Sequence, residues 1–371
     1  MDIKRIYFYG TLPEKGKTPF GGGEVGNLRT VNMLRNAGYN VTIIRQRKAS
    51  ATWGHYRKLI TYPLRILLGW TETFFKLLFA SRKSVVHLSG FAGKTILNEF
   101  VLMHIIRYLG FNVIYEIRGG GIIDFWEKGN NSYKKMFCYL VNEAVCVFSQ
   151  GKENMSLLRS LTKTLIYYYP NCVEDCFAPS QYINKTENCV NLIFYGRIEE
   201  DKHVDMVVEI ASLLQKEVSD IYLTIIGDGN TAYVENIKKK MGLLLKPDTY
   251  KFEEALKHED LKDVLKDKHF YIFPSTQPRE GQSNSITECM SFGIIPIASP
   301  QGFNRSTIGD DNLIVDSLDA NLYAKKILGI IKNGSFESLS LQVYNRFREN
   351  YTESIVSSKT IVQYKKIFEK I

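Results

Sequence analysis

The sequence predicts an α/β protein built from two doubly wound parallel sheets, and three observations carry that expectation. Its 371 residues exceed one ordinary domain and suit two. Short apolar strands alternate with amphipathic helical stretches along most of the chain, the pattern of parallel sheets covered by helices on both faces. A turn-rich run with two prolines, PNCVEDCFAPSQYINKTEN at 170–188, interrupts that alternation and marks a domain boundary. Domains are therefore expected at 1–180 and 181–350, with a closing helix at 351–371. A hydrophobic content of 44% against 23% charged residues fits packed domains, not a disordered chain.

In chain order, Lys4–Tyr9 reads as the first strand, and a glycine-rich loop, GKTPFGGGEVGN, follows. Leu28, Val31, Leu34 and Ala37 then fall on one helical face, and Asn40–Ile44 is a second strand. The alternation resumes at SVVHLSG and continues through TILNEFVLMHIIRYLG, NVIYEIRGG, NSYKKMFCYLVNEA, VCVFSQ, GKENMSLLRSL and TLIYYYP. The second half repeats it with VNLIFYG, HVDMVVEIASLLQKE, IYLTIIG, TAYVENIKKKMGLL, HFYIFPS, SITECMSFG and IIPIAS. NLIVD and two helical segments close the chain. Two such sheets joined at 170–188 would open a cleft between their carboxyl edges, where ligands bind in doubly wound folds.

Residues 45–83 break the rhythm. Nine lysines and arginines face a single acid, Glu72, and Trp53, Tyr56, Tyr62, Trp70, Phe74, Phe75 and Phe79 are interleaved with them. The apolar run from Leu64 to Ala80 falls short of the ~20 residues a spanning helix needs. Such a segment suits an anionic membrane surface, and it also suits a core-packing helix with a basic outer face. The chain's +9 charge follows the same asymmetry: 24 basic against 12 acidic residues over 1–180, and 24 against 27 over 181–371. The six cysteines form no CxxC pair and read as reduced thiols, and the N-terminus shows no signal-peptide core. A cytoplasmic protein is expected, and no nucleic-acid partner.

Three stretches carry candidate chemistry. Gly22 and Gly23 lie between a strand and a helix, where the backbone can approach an anion closely, although no Walker lysine follows. Arg197 and Lys202 lie across the exit of the strand VNLIFYG, where two cations can clamp a diphosphate or simply line a solvated loop. In REGQSNSITE, Glu280 and Glu288 bracket seven residues that include Gly281, Gln282 and Ser283. Ser285 and Glu288 fit an S-x-x-E capping box; a carboxylate there also suits paired ribose hydroxyls.

Taken in order, GGGEVGNL, PNCVEDCF, FYGRIEEDK, LTIIGDGN, FPSTQPREGQSNSITECMSFGIIPIAS and GDDNLIVD resemble the family-four retaining glycosyltransferases of bacterial surface-polysaccharide type. The resemblance implies the GT-B fold, two Rossmann-like domains facing a central cleft, and an E-x7-E motif at Glu280 and Glu288. It implies that Arg197 and Lys202 bind the donor diphosphate and that Glu288 holds the ribose. Glu280 would face the donor sugar, the backbone of Gly281, Gln282 and Ser283 would contact its hydroxyls, and Gly22 and Gly23 would close over the diphosphate. Arg118 stands where many relatives have a histidine, either as a donor contact or in an ion pair with Glu116 or Asp124. His203, where relatives have glycine or asparagine, reads as a tolerated surface substitution, and Glu253 as a departure beside the nucleotide base.

The sequence thus supports a metal-independent, cofactor-free, retaining glycosyltransferase. It would move a sugar from a nucleotide-diphosphate sugar, UDP favoured and GDP-mannose possible, to a saccharide acceptor, expected to be lipid-linked, in polysaccharide biosynthesis. The alternatives are a nucleotide-sugar epimerase of the same fold and a non-catalytic nucleotide-sugar or membrane-binding protein. The expected location is cytoplasmic and peripheral on the inner face of the plasma membrane.

Overall fold

The computed structural model describes residues 4–13, 21–47, 49, 53–185 and 189–371. Residues 16–20 of the glycine-rich loop, residues 48 and 50–52 of the basic segment and the last three residues of the 170–188 run lie outside the described residues. The chain divides into two compact units, Met1–Pro170 with Ser357–Ile371, and Asn171–Val356. The change falls at Pro170/Asn171, ten residues before the expected boundary, and the C-terminal fifteen residues group with the first unit.

The first unit holds β1 (Arg5–Gly10), α1 (Gly22–Asn36), β2 (Asn40–Arg45), α2 (His55–Ile60), α3 (Tyr62–Leu78), β3 (Val85–Gly90) and α4 (Ile96–Tyr108). β4 (Asn112–Ile117), α5 (Ile122–Lys128), α6 (Asn131–Glu143), β5 (Cys146–Ser149), α7 (Asn154–Leu161) and β6 (Leu165–Tyr168) complete its first 170 residues. All strand pairs are parallel, in the order β2-β1-β3-β4-β5-β6. β3 is buried along its whole length and β4 from its second residue, which is why both read as near-continuous apolar runs.

The second unit holds β7 (Val190–Tyr195), α8 (Val204–Glu217), β8 (Ile221–Ile226), α9 (Thr231–Leu244), β9 (Tyr250–Glu253), α10 (His258–Leu265) and β10 (Phe270–Phe273). α11 (Asn284–Ser291), β11 (Ile295–Ala298), α12 (Asn304–Ile308), α13 (Ala320–Lys332) and α14 (Phe336–Asn350) follow. Its parallel sheet runs β11-β10-β7-β8-β9. The last helix, α15 (Glu353–Phe368), buries Tyr364 in the first unit.

The fold class expected from the sequence, two doubly wound α/β domains, is the one found. Several local features differ from expectation or go beyond it, and three closing helices, α13, α14 and α15, stand where two helical segments are expected. β9 and α10 lie in a stretch where no element is expected; β9 has only four residues, partly exposed at the sheet edge, so its apolar signal is weak. The irregular segment 45–83 contains two helices, α2 and α3. NLIVD forms a 3-10 turn at Asp311–Leu313 and a single bridge from Ile314 to Ala298.

Candidate functional site

The site of the second unit follows from its topology. Strand order proceeds outward in opposite directions from the β10/β7 pair, and in doubly wound sheets ligands bind at the carboxyl ends of such a switch point. The loops leaving β7 and β10 carry Lys202 and Glu280 respectively. The structure brings these two side chains together: the Lys202 Nζ forms a close ion pair with a Glu280 carboxylate oxygen. The Ser275 hydroxyl donates to the same oxygen at 3.4 Å. Lys202 is buried, with its ammonium 4.8 Å from the Phe273 ring centroid. A cation so withdrawn from water needs its partner, and the partner here is a candidate catalytic acid.

Local geometry holds this pair in place. Lys202 ends a 3-10 turn, Glu200–Lys202, and His203 follows in the left-handed conformation at φ +50°. That conformation costs a non-glycine residue roughly 1–2 kcal/mol. At this partly exposed position the histidine is carried at that cost, and its side chain has a partner. His203 Nε2 lies 2.6 Å from the Thr276 hydroxyl, and the Thr276 amide donates to the Asp201 carbonyl at 2.8 Å, tying the β7 loop to the β10 loop. On the other side, Gly302 has φ +60°, and an added Cβ would lie 2.3 Å from the Glu280 carbonyl oxygen. Only glycine lets this backbone press so closely against Glu280.

Glu288 lies inside α11, buried, in a different environment. Tyr195 donates to its Oε2 at 2.9 Å, and His258 Nε2 lies 3.2 Å from its Oε1. Burial first, and the charge of Glu288 next, push the Tyr195 phenol well above its usual range, so it stays a donor. His258 stacks on Phe177 with ring centroids 4.2 Å apart. The capping-box alternative is not realised. Ser283, not Ser285, is the N-cap, and it makes no side-chain cap bond. The Ser285 hydroxyl meets Tyr271 and Ser283 instead. The first-turn amides of α11 lack intrahelical partners by geometry, which leaves an anion- or hydroxyl-binding helix end beside Gly281.

Gln282 is expected to offer its backbone, and its side chain is engaged elsewhere. It is buried, and its side chain accepts from the Asn171 amide at 2.7 Å and donates to the Asn171 carbonyl at 3.2 Å. The Asn171 side chain donates in turn to the Gln282 carbonyl and to Asn284 Oδ1. The side chain of Gln282 thus anchors the loop between the two acids. Arg197 is not drawn into the Lys202–Glu280 pair; its side chain is 62% exposed and bonds Glu199 at 2.9 Å.

In the first unit, Gly22 and Gly23 form the opening of α1, with Gly21 as its N-cap at φ +86°. Gly23 is packed tightly: an added Cβ would lie 3.2 Å from the Phe91 ring. Arg118 realises the ion-pair alternative, not the donor contact. It is buried against Glu116 at 2.7 Å and donates to the Thr30 hydroxyl at 3.0 Å. Glu116 also meets His87 Nε2 at 2.8 Å, and His87 Nδ1 bonds the Tyr364 hydroxyl of α15. Burial raises the Glu116 pKa, but Arg118 and His87 outweigh it and hold the carboxyl below its ordinary value. Among the described residues no cluster of three or more histidine, cysteine or acidic side chains is arranged to hold a metal.

Two acids in unlike settings, a buried lysine at a sheet switch point and an open helix end thus lie on the loops that leave β7 and β10 of one doubly wound unit. Residues 180–353, most of the second unit, match the family described as Glycosyl transferases group 1. Over 290 residues the chain is 21% identical to a phosphatidylinositol N-acetylglucosaminyltransferase component of Arabidopsis thaliana, covering 76% of this chain and 62% of that one. Among solved structures, sucrose-phosphate synthase from Thermosynechococcus elongatus superimposes with a TM-score of 0.76 at 15% identity, covering 99% of this chain and 100% of that one. The pneumococcal O-GlcNAc transferase GtfA, solved with UDP and GlcNAc, gives a TM-score of 0.60 at 16% identity over 81% of this chain and 59% of that one. The chain therefore spans less than two thirds of the first and third of these relatives, and the structural likenesses establish the GT-B glycosyltransferase type of fold.

Proposed function

We propose that this protein is a retaining glycosyltransferase that uses a UDP-sugar, UDP-N-acetylglucosamine in the first instance, and transfers the sugar to a saccharide acceptor. The observation that carries the reading is the Lys202–Glu280 pair at the β7/β10 switch point, with Glu288 eight residues further along the same segment. The names of the Arabidopsis and pneumococcal relatives support the choice of sugar and nucleotide.

Cleavage of the bond to the leaving diphosphate builds negative charge on phosphate and positive charge on the sugar. Lys202 supplies a preorganised cation for the first, in a site withdrawn from water where charge acts strongly. In the resting pair that cation is neutralised by Glu280. A donor diphosphate would take over the ammonium and release the Glu280 carboxylate toward the sugar. Arg197, exposed on the same loop, would swing onto the diphosphate from solvent, and Glu288 would hold the ribose diol while Tyr195 keeps its other oxygen. The Gly281–Ser283 backbone would contact the sugar hydroxyls. The acceptor in this reading is lipid-linked, and the protein works peripherally at the inner face of the plasma membrane in polysaccharide assembly. No helix among the described residues is long and apolar enough to cross a membrane.

A thermal-shift comparison of UDP, GDP and ADP tests the nucleotide. UDP at a hundred times its Kd should stabilise the fold by about 2.7 kcal/mol, with GDP and ADP well below it. A shift with GDP alone would replace the donor by a GDP-sugar. Activity should also persist in EDTA, because charge neutralisation is assigned to Lys202, Arg197 and the α11 amides. Loss of activity in EDTA, restored by a divalent ion, would contradict that assignment. Conversion of the donor's sugar to its epimer without any acceptor would favour the epimerase alternative.

A further inference from the structure

We propose that the α2–α3 pair is a docking surface for an anionic lipid bilayer, on which the protein lies without spanning it. The inference rests on the reading of the acceptor as lipid-linked and names the surface that would bring the first unit to it. α3 carries two apolar faces. One, at Gly69, Thr73 and Leu77, is buried, and Trp70, Phe74 and Leu78 pack beside it against the core of the first unit. Leu64, Leu68, Phe75 and Phe79 recur at spacings of four, seven and four, which places them on the opposite face. They range from 40% exposed at Leu68 to 87% at Phe79. α2 continues this surface: none of its residues is buried, and Tyr56, Leu59 and Ile60 are all more than half exposed.

A helix in a soluble domain needs one apolar stripe to pack, and the second has no role in holding this fold. The charges around it select the occupant. Arg57, Lys58, Arg65, Lys76, Arg82 and Lys83 lie within 53–83 against Glu72 alone. Arg57 sits over the Trp53 ring at 4.5 Å and Arg65 beside Tyr62 at 5.8 Å, so cations and aromatic rings lie together, as they do at a lipid headgroup boundary. Lys76 is turned to Glu72 and the Ile43 carbonyl and Arg82 to Phe111, which leaves Arg57, Lys58, Arg65 and Lys83 as the cations of this surface. A protein partner or a second copy would have to match them and the aliphatic stripe together, whereas an anionic leaflet offers negative headgroups above hydrocarbon without such matching. At 17 residues, α3 is too short and too interrupted to cross a bilayer and is suited to lie within its surface.

Co-sedimentation with phosphatidylcholine vesicles, with and without phosphatidylglycerol, tests the surface. The protein should bind the anionic vesicles at low salt and bind at least about tenfold more weakly at high salt or without phosphatidylglycerol. Leu64→Glu with Leu68→Glu should weaken binding to anionic vesicles by about tenfold or more, through lost apolar insertion and added negative charge. Arg57→Glu with Lys58→Glu should weaken binding to anionic vesicles and leave the weak binding to phosphatidylcholine unchanged. Each variant should keep the far-ultraviolet circular dichroism and the melting temperature of the parent, which shows that it is folded. Absence of binding by the parent at low salt, or binding by the leucine variant equal to the parent's, overturns the proposal. So does a dimer, seen by sedimentation velocity without lipid, that the leucine variant dissolves while neither form binds vesicles; the face would then belong to a second copy. A parent that binds vesicles but shows no shift with any nucleotide would sink the donor reading and leave the docking surface standing.

Discussion

Lys202→Ala should lower sugar transfer by about 10²-fold or more, the scale for removing one preorganised charge-stabilising group. The effect is expected to be large because this ammonium is buried, lies over Phe273 and sits at the switch point where the departing diphosphate would be held. A surface lysine could be replaced by water and salt; this one cannot. The substitution also leaves Glu280 without its cation. Breaking a buried pair from one side costs roughly 3–5 kcal/mol, and the figure here should be smaller because the Glu280 side chain remains 12% exposed. Stability and catalysis can be separated with Lys202→Met combined with Glu280→Gln. The double variant removes both charges, so it should recover stability while transfer stays low. Near-normal transfer by Lys202→Ala, measured on folded protein, would remove Lys202 from the mechanism.

Glu280→Gln should reduce kcat by about tenfold or more while nucleotide affinity changes little, since the group is assigned to the sugar and its developing positive charge. The argument has two sides. Glutamine keeps the shape and can still accept from Ser275, so the loop, held by Asn171 and pressed by Gly302, should stay in place. What disappears is the negative charge that Lys202 exchanges for the donor phosphate. Removing it frees the ammonium in the resting protein, so UDP should bind as well as before or slightly better. A variant that loses UDP binding in parallel with turnover would show that Glu280 serves the nucleotide and not the sugar. Glu288→Gln is the natural comparison, because its carboxylate faces Tyr195 and His258 and belongs to the ribose in this reading.

Some of the site was visible in the chain alone. The strand FYG, the cations after it and the two acids around QSNSIT could be placed at strand exits and a helix start because strand and helix periodicity is local. Lys202, Glu280 and Glu288 stand at such positions; in the fold Lys202 and Glu280 are paired and Glu288 lies apart in α11. Arg197 came out beside Lys202 by spacing, yet in the fold it lies exposed with Glu199. Arg118 stands where the resembled family often has a histidine, and of its two expected settings the fold gives the ion pair with Glu116. Gln282 looked like part of a binding loop, and its side chain is taken by Asn171, 111 residues away.

The residues that reading missed share that property of distance. Tyr195 is 93 residues from Glu288, and His258 is 30 residues from it. No spacing rule connects such pairs, and neither residue type marks chemistry by itself. His203 differs from these: the resemblance marks it as a departure from glycine or asparagine, and its left-handed backbone is visible only in the fold.

Two parallel α/β units, and the order in which the charged residues leave their strands, are legible in the amino acids alone, because alternating burial imprints its period on neighbouring residues. Which partner each charge has is settled by the fold. That choice depends on β7 and β10 lying side by side, with α8, β8, α9, β9 and α10 between them in the chain, and on the loops that this adjacency brings into contact. Glu280 and Glu288 are eight residues apart and chemically identical, and they become different groups because one loop end meets a buried lysine and the other turns into a helix beneath a tyrosine.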